Sequence, residues 1–115
     1  MTPKRPQTAP KRARSTPRVP RPDDLYRALL ELRTVGECRK FLDDLCTPTE
    51  LIGMKERWRV AQMVDRGVPY REINSLTGVS TATVTRVGRA LTYGSGGYRL
   101  VLDRTAGSKG KRGKS

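Results

Sequence analysis

The sequence predicts an all-α fold: a small multi-helix, helix-turn-helix domain set between two disordered basic tails. Three observations carry that expectation. Residues 70–91, YREINSLTGVSTATVTRVGRAL, read as two short helices broken by a tight turn. Upstream of them, apolar residues recur at helical spacing, and no run alternates as a strand would. The excess positive charge lies at the two ends of the chain, where large apolar groups are scarce. A chain of 115 residues is expected to form one domain. Its expected limits are 23–104, with tails at 1–22 and 105–115.

Each element has a local cause. Pro22-Asp23-Asp24 opens a first helix with acids near its positive end, and Leu25, Leu29 and Leu32 form its stripe. Thr34 to Glu37 is a capping-box pattern that starts a second, with Val35, Phe41, Leu42 and Leu45 as core candidates. Thr47-Pro48-Thr49-Glu50 is a fuller start signal, with cap, first-turn proline and reciprocal glutamate in place. That third helix should run to Arg66, bury Leu51, Met54, Trp58 and Ala61, and stop at Gly67. Pro69 starts the fourth, with Ile73 and Leu76 on one face. After the fifth helix, Gly94 to Gly97 forms a break, and a short last helix over 98–104 could turn Val101 and Leu102 inward.

The turn between the fourth and fifth helices is specified closely. Gly78 suits a left-handed backbone, because it has no Cβ to clash. Ser80 follows as an N-cap whose hydroxyl can accept from an orphan amide. With Thr81 at zero and about 100° per residue, Val84, Val87 and Leu91 fall near 300°, 240° and 280°, one buried stripe. The opposite side, centred near about 90°, carries Ala82, Thr85 and Arg89, with Thr81 and Arg86 at its edges. A face of small, hydroxylic and arginine side chains can approach base edges in a DNA major groove. The bland alternative is a solvated face on a plain helical hairpin. Gly88, inside the fifth helix, is read as a place where another helix comes close.

Charge bounds the partners. The chain holds 24 Lys and Arg against 11 Asp and Glu, with no histidine. Residues 1–22 carry seven of the basic groups and residues 104–115 five, with no acid in either stretch. The centre is therefore nearly neutral, and within it the basic half (57–99) coincides with the helix-turn-helix. That distribution suits double-stranded DNA, since phosphate neutralisation supplies most non-specific affinity. An anionic membrane surface would suit the tails without explaining the turn motif, and no apolar run could span a bilayer. No secretory signal is read at the N-terminus, and six prolines in residues 1–22 argue against a transit helix. Cys38 and Cys46 have neither zinc nor redox spacing, so they are read as reduced thiols of a cytoplasmic protein, with no metal expected. No nucleophile and base stand out for catalysis, and the chain is not expected to be an enzyme.

With these residues in hand, the stretch from about 25 to 102 resembles the Trp repressor superfamily. It is most similar to the Trp-repressor-related branch of small bacterial proteins. FLDDLCTPTEL, ERWRVAQMVDRG, YREI, TGVSTATVTRV and ALTYGSGGYRLVLDR carry the resemblance. It implies an intertwined homodimer of DNA-binding transcriptional regulators, usually repressors, cytoplasmic and associated with the nucleoid when bound. It places the DNA-facing positions on Arg71, Ser80, Thr81, Ala82, Thr83 and Thr85, to which the helical wheel adds Arg86 and Arg89. It also maps a ligand pocket onto Arg57, Thr83 and Arg86, whose other reading is phosphate contact or internal pairing. Val87 replaces the small glycine of that pocket and Ala90 its serine. Both changes count against tryptophan as co-repressor, and no cofactor is expected. In the competing reading the basic tails drive non-specific nucleoid-type or RNA binding.

Overall fold

The computed structural model describes the backbone of residues 17–113 and side chains to residue 106. Most of the tail expected over 1–22, and the side chains beyond residue 106, lie outside the described residues. Six helices follow in order: α1 Asp24–Leu30, α2 Val35–Leu45, α3 Pro48–Asp65, α4 Tyr70–Thr77, α5 Thr81–Tyr93 and α6 Gly97–Gly113. The described residues contain helix and turn without a strand, so the fold is all-α. α6 outlasts the short helix expected to end at Arg104. Its first turns are packed on the core through Tyr98 and Leu102, and once nucleated a helix propagates one residue at a time. The backbone is helical where the C-terminal tail was expected to begin.

Contacts divide the chain into two compact units, one ending at Lys40 and one beginning at Phe41. In the first unit, α1 has no buried residue. Its stripe stays open to solvent, Leu25 at 39% and Leu29 at 40%. Val35, at the start of α2, is exposed as well. Its helix is nonetheless well started: the Thr34 hydroxyl accepts from the Glu37 amide at 3.0 Å, and Glu37 accepts from the Arg33 amide at 2.8 Å.

The second unit holds the core: Val60, Ala61, Ile73, Val79, Val84, Val87 and Leu102. Trp58, Met63, Val64, Val68, Leu91 and Tyr98 pack around it. α3 is the spine, because α4, α5 and α6 all lie against it. Its N-terminus carries the predicted capping box: Thr47 accepts from the Glu50 amide at 3.1 Å, and Glu50 accepts from the Thr47 amide at 2.8 Å. At its other end Gly67 adopts φ +85. The Val68 amide reaches back to the Met63 carbonyl and the Gly67 amide to that of Val64, a left-handed cap that closes the helix. α6 is tied to α3 by the Trp58–Tyr98 stack, 6.3 Å between centroids, and by Arg99, which bridges Asp65 and Asp103. Those two carboxylates, Asp65 first, raise the Arg99 pKa above its ordinary value.

Several core expectations need correction. Leu76 is 63% exposed. Leu45, Met54 and Val101 are also exposed, while Val60 and Val79 are buried without having been expected to be. The core gathers where α4, α5 and α6 press on the C-terminal half of α3, so Val60 and Ala61 are covered while Met54, nearer its start, is left open.

Candidate nucleic-acid interface

The turn between α4 and α5 is held by side-chain hydrogen bonds and one left-handed glycine. Gly78 has φ +76, and its amide donates to the Asn74 carbonyl at 2.9 Å. Asn74 in turn donates from its side-chain amide to the Val79 carbonyl at 2.8 Å. The Thr77 hydroxyl donates to the Ile73 carbonyl at 2.7 Å and accepts from the Val79 amide at 3.0 Å. Val79 is thereby pinned into the core, and the chain leaves it in the extended conformation of Ser80 (φ −62, ψ 151), which caps α5 by accepting from the Thr83 amide. Both predicted devices, the Gly78 turn and the Ser80 cap, are in place.

α5 divides as the helical wheel predicts. Val84, Val87 and Gly88 are buried, Leu91 is half-buried, and Thr81, Ala82, Thr85, Arg86 and Arg89 are exposed. Gly88 is buried because the phenol of Tyr70, on α4, lies directly over it. Thr81, Ala82, Thr83, Thr85, Arg86 and Arg89 together line one open surface. Ser80 stands at its N-terminal edge, and Arg71 is exposed on α4. Among the described residues the ion pairs involve Arg27 and Arg99, so Arg71, Arg86 and Arg89 have no carboxylate partner within 4.0 Å.

Arg57 does not join this surface. It is half-buried on α3, with a guanidinium nitrogen 3.3 Å from the place a Cβ on Gly53 would occupy. Val87, only 1% exposed, belongs to the core, and Ala90 is half-buried beside it. One side chain escaped the sequence reading. Tyr93, the last residue of α5, is 76% exposed. The Arg89 guanidinium lies 5.8 Å from its ring centroid. Extending the wheel two residues past Leu91 places Tyr93 near about 120°, on the outward face.

Residues 22–106 match the model of the Trp repressor protein family. The chain belongs to the Trp repressor family. It is 44% identical over 82 residues to the protein YerC of Bacillus subtilis (strain 168), covering 71% of this chain and 79% of YerC. A TrpR-like protein from Eubacterium eligens ATCC 27750 superposes with a TM-score of 0.68 at 38% identity, covering 72% of this chain and 86% of that one. A solved structure from Staphylococcus aureus gives a TM-score of 0.69 at 42% identity, covering 72% and 83%. These relatives place the chain in the TrpR-like, YerC-type branch. The Trp repressor family is one of DNA-binding regulators rather than enzymes, and at that level this chain is a DNA-binding regulator. Among the described residues no helix is long and apolar enough to cross a membrane.

Proposed function

We propose that this Trp repressor family member is a sequence-specific transcriptional repressor that reads an operator with the outer face of α5. The observation that carries the proposal is the division of that helix. Val84, Val87 and Gly88 anchor it, while Thr81, Ala82, Thr85, Arg86 and Arg89 share one exposed surface. Small and hydroxylic side chains let the helix sit close to base edges, and the unpaired arginines supply charge for phosphate or guanine. Thr81, Ala82 and Thr85 read bases; Arg71, Ser80 and Thr83 support them at the edges of the surface.

The working unit is a homodimer. Leu25, Leu29, Leu30, Val35 and Leu45 are each at least 39% exposed in the single chain, an apolar load that a second copy would cover. Two reading helices about 34 Å apart would then meet successive major grooves on one face of the duplex. No tryptophan co-repressor is needed in this reading. Support for this comes from Val87, a buried core side chain, and from Arg57, which is not among the residues lining the surface with Thr83 and Arg86.

Selection of bound sequences from a random pool of duplex DNA tests the proposal. Recovery of a palindrome with half-sites about one helical turn apart is the expected result. Binding without any recovered motif would overturn it in favour of architectural, tail-driven binding.

A further inference from the structure

Tyr93 lies outside the buried core. It is 76% exposed, and Gly94 ends α5 immediately after it. A Cβ at Gly94 would press on the Ala90 carbonyl group, so a side chain there would force a shift at the end of the helix. What Tyr93 does contact is Arg89, one turn back, whose guanidinium lies 5.8 Å from the ring centroid. That separation is within reach of attraction between a cation and an aromatic face. The wheel puts Arg89 near about 80° and Tyr93 near about 120°, the side that also carries Ala82 and Thr85.

Position along the helix separates their work from that of Thr81. At about 1.5 Å per residue, Arg89 lies about 12 Å and Tyr93 about 18 Å beyond Thr81. Reading helices put their N-terminal residues on the base edges, and the major groove is only about 12 Å wide. The far end of α5 therefore stands at the groove rim, where phosphates line the duplex. A free arginine would pay rotamer entropy to be fixed there; a ring beneath it restricts that freedom beforehand.

We propose that Tyr93 is a positioning residue that holds Arg89 as a phosphate clamp at the groove rim, fixing the register in which the N-terminal turn of α5 meets the bases. The proposal rests on the DNA-reading assignment above. It gives Arg89 a phosphate in place of the base edge expected from sequence.

The test is a double-mutant cycle on the full chain, measuring affinity against salt for the selected operator and for random duplex. Both side chains are exposed, and unchanged helical content of each variant checks that the fold is intact. Arg89→Ala should flatten the dependence of log K on log salt by about 0.9 per subunit. Tyr93→Leu should weaken binding to both duplexes about 2–5-fold, and should do nothing further once Arg89 is alanine. Tyr93→Phe, which keeps the ring, should bind as the wild type does. A Tyr93→Leu loss that is the same with and without Arg89 would overturn the clamp. So would a loss of preference at a single base pair in Arg89→Ala. In either case operator preference in the wild type would leave the DNA-reading assignment standing. Wild-type protein without duplex affinity would remove both.

Discussion

The phenol of Tyr70, at the start of α4, occupies the space that a side chain on Gly88 would need in the middle of α5. A Cβ there would stand on the Tyr70 hydroxyl and 2.7 Å from Cζ. Gly88 is thus a point where a side chain of α4 packs directly on the backbone of α5.

This contact decides the sign of a substitution. In an isolated helix, Gly→Ala would stabilise by about 1 kcal/mol. Here Gly88→Ala should instead destabilise by about 1 kcal/mol or more, because the ring must be driven out of its place. In a Tyr70→Leu background the obstacle is gone, and the same substitution should become neutral or stabilising. Urea denaturation of the four proteins measures this sign change. A stabilising Gly88→Ala with Tyr70 intact would show that the ring yields freely.

The capping box of α3 should be worth more than a surface threonine usually is. Thr47→Ala removes the acceptor for the Glu50 amide and frees the Glu50 side chain, and it should lower stability by about 1 kcal/mol. The spine helix would fray first, so exchange of the amides at residues 47 and 50 should accelerate. An unchanged denaturation midpoint would contradict this.

The tails should supply affinity rather than preference. Residues 1–22 and 104–115, the latter the end of α6 and the residues after it, hold twelve of the 24 basic side chains without an acid. Removing both tails should flatten the salt dependence of DNA binding and leave the ranking of sites unchanged. Loss of the ranking along with the tails would move the reading function out of α5.

The reading unit was largely legible because its signals are local. Gly78, Ser80, Thr47-Pro48 with Glu50, and the apolar stripe of Val84 and Val87 each act within a few residues, and all are found as expected. What stayed hidden depends on neighbours distant in sequence. Leu76 lies three residues from Ile73 on the same helical face, yet only Ile73 meets α3 and α5, and periodicity alone cannot separate them. Leu25 and Leu29 form a correct amphipathic stripe that a single chain leaves uncovered. Tyr93 was missed for a simpler reason: the wheel was stopped at the last apolar residue, and an exposed aromatic at a helix end has no place in a core pattern. The length of α6 was underestimated because three glycines in 105–113 read as a tail, while backbone propagation from a packed first turn carries the helix on.

The central claim is that the outer face of α5 distinguishes one duplex sequence from another. Thr85 sits in the middle of that face, exposed and without a structural partner among the described hydrogen bonds of its side chain. The most direct measurement compares wild type and Thr85→Ala for affinity to the selected operator and to random duplex at one salt concentration. Operator affinity should fall roughly 2–10-fold, the worth of a single hydrogen bond, while random-duplex affinity stays the same. Equal losses on both duplexes would contradict the assignment of α5 as the helix that reads sequence.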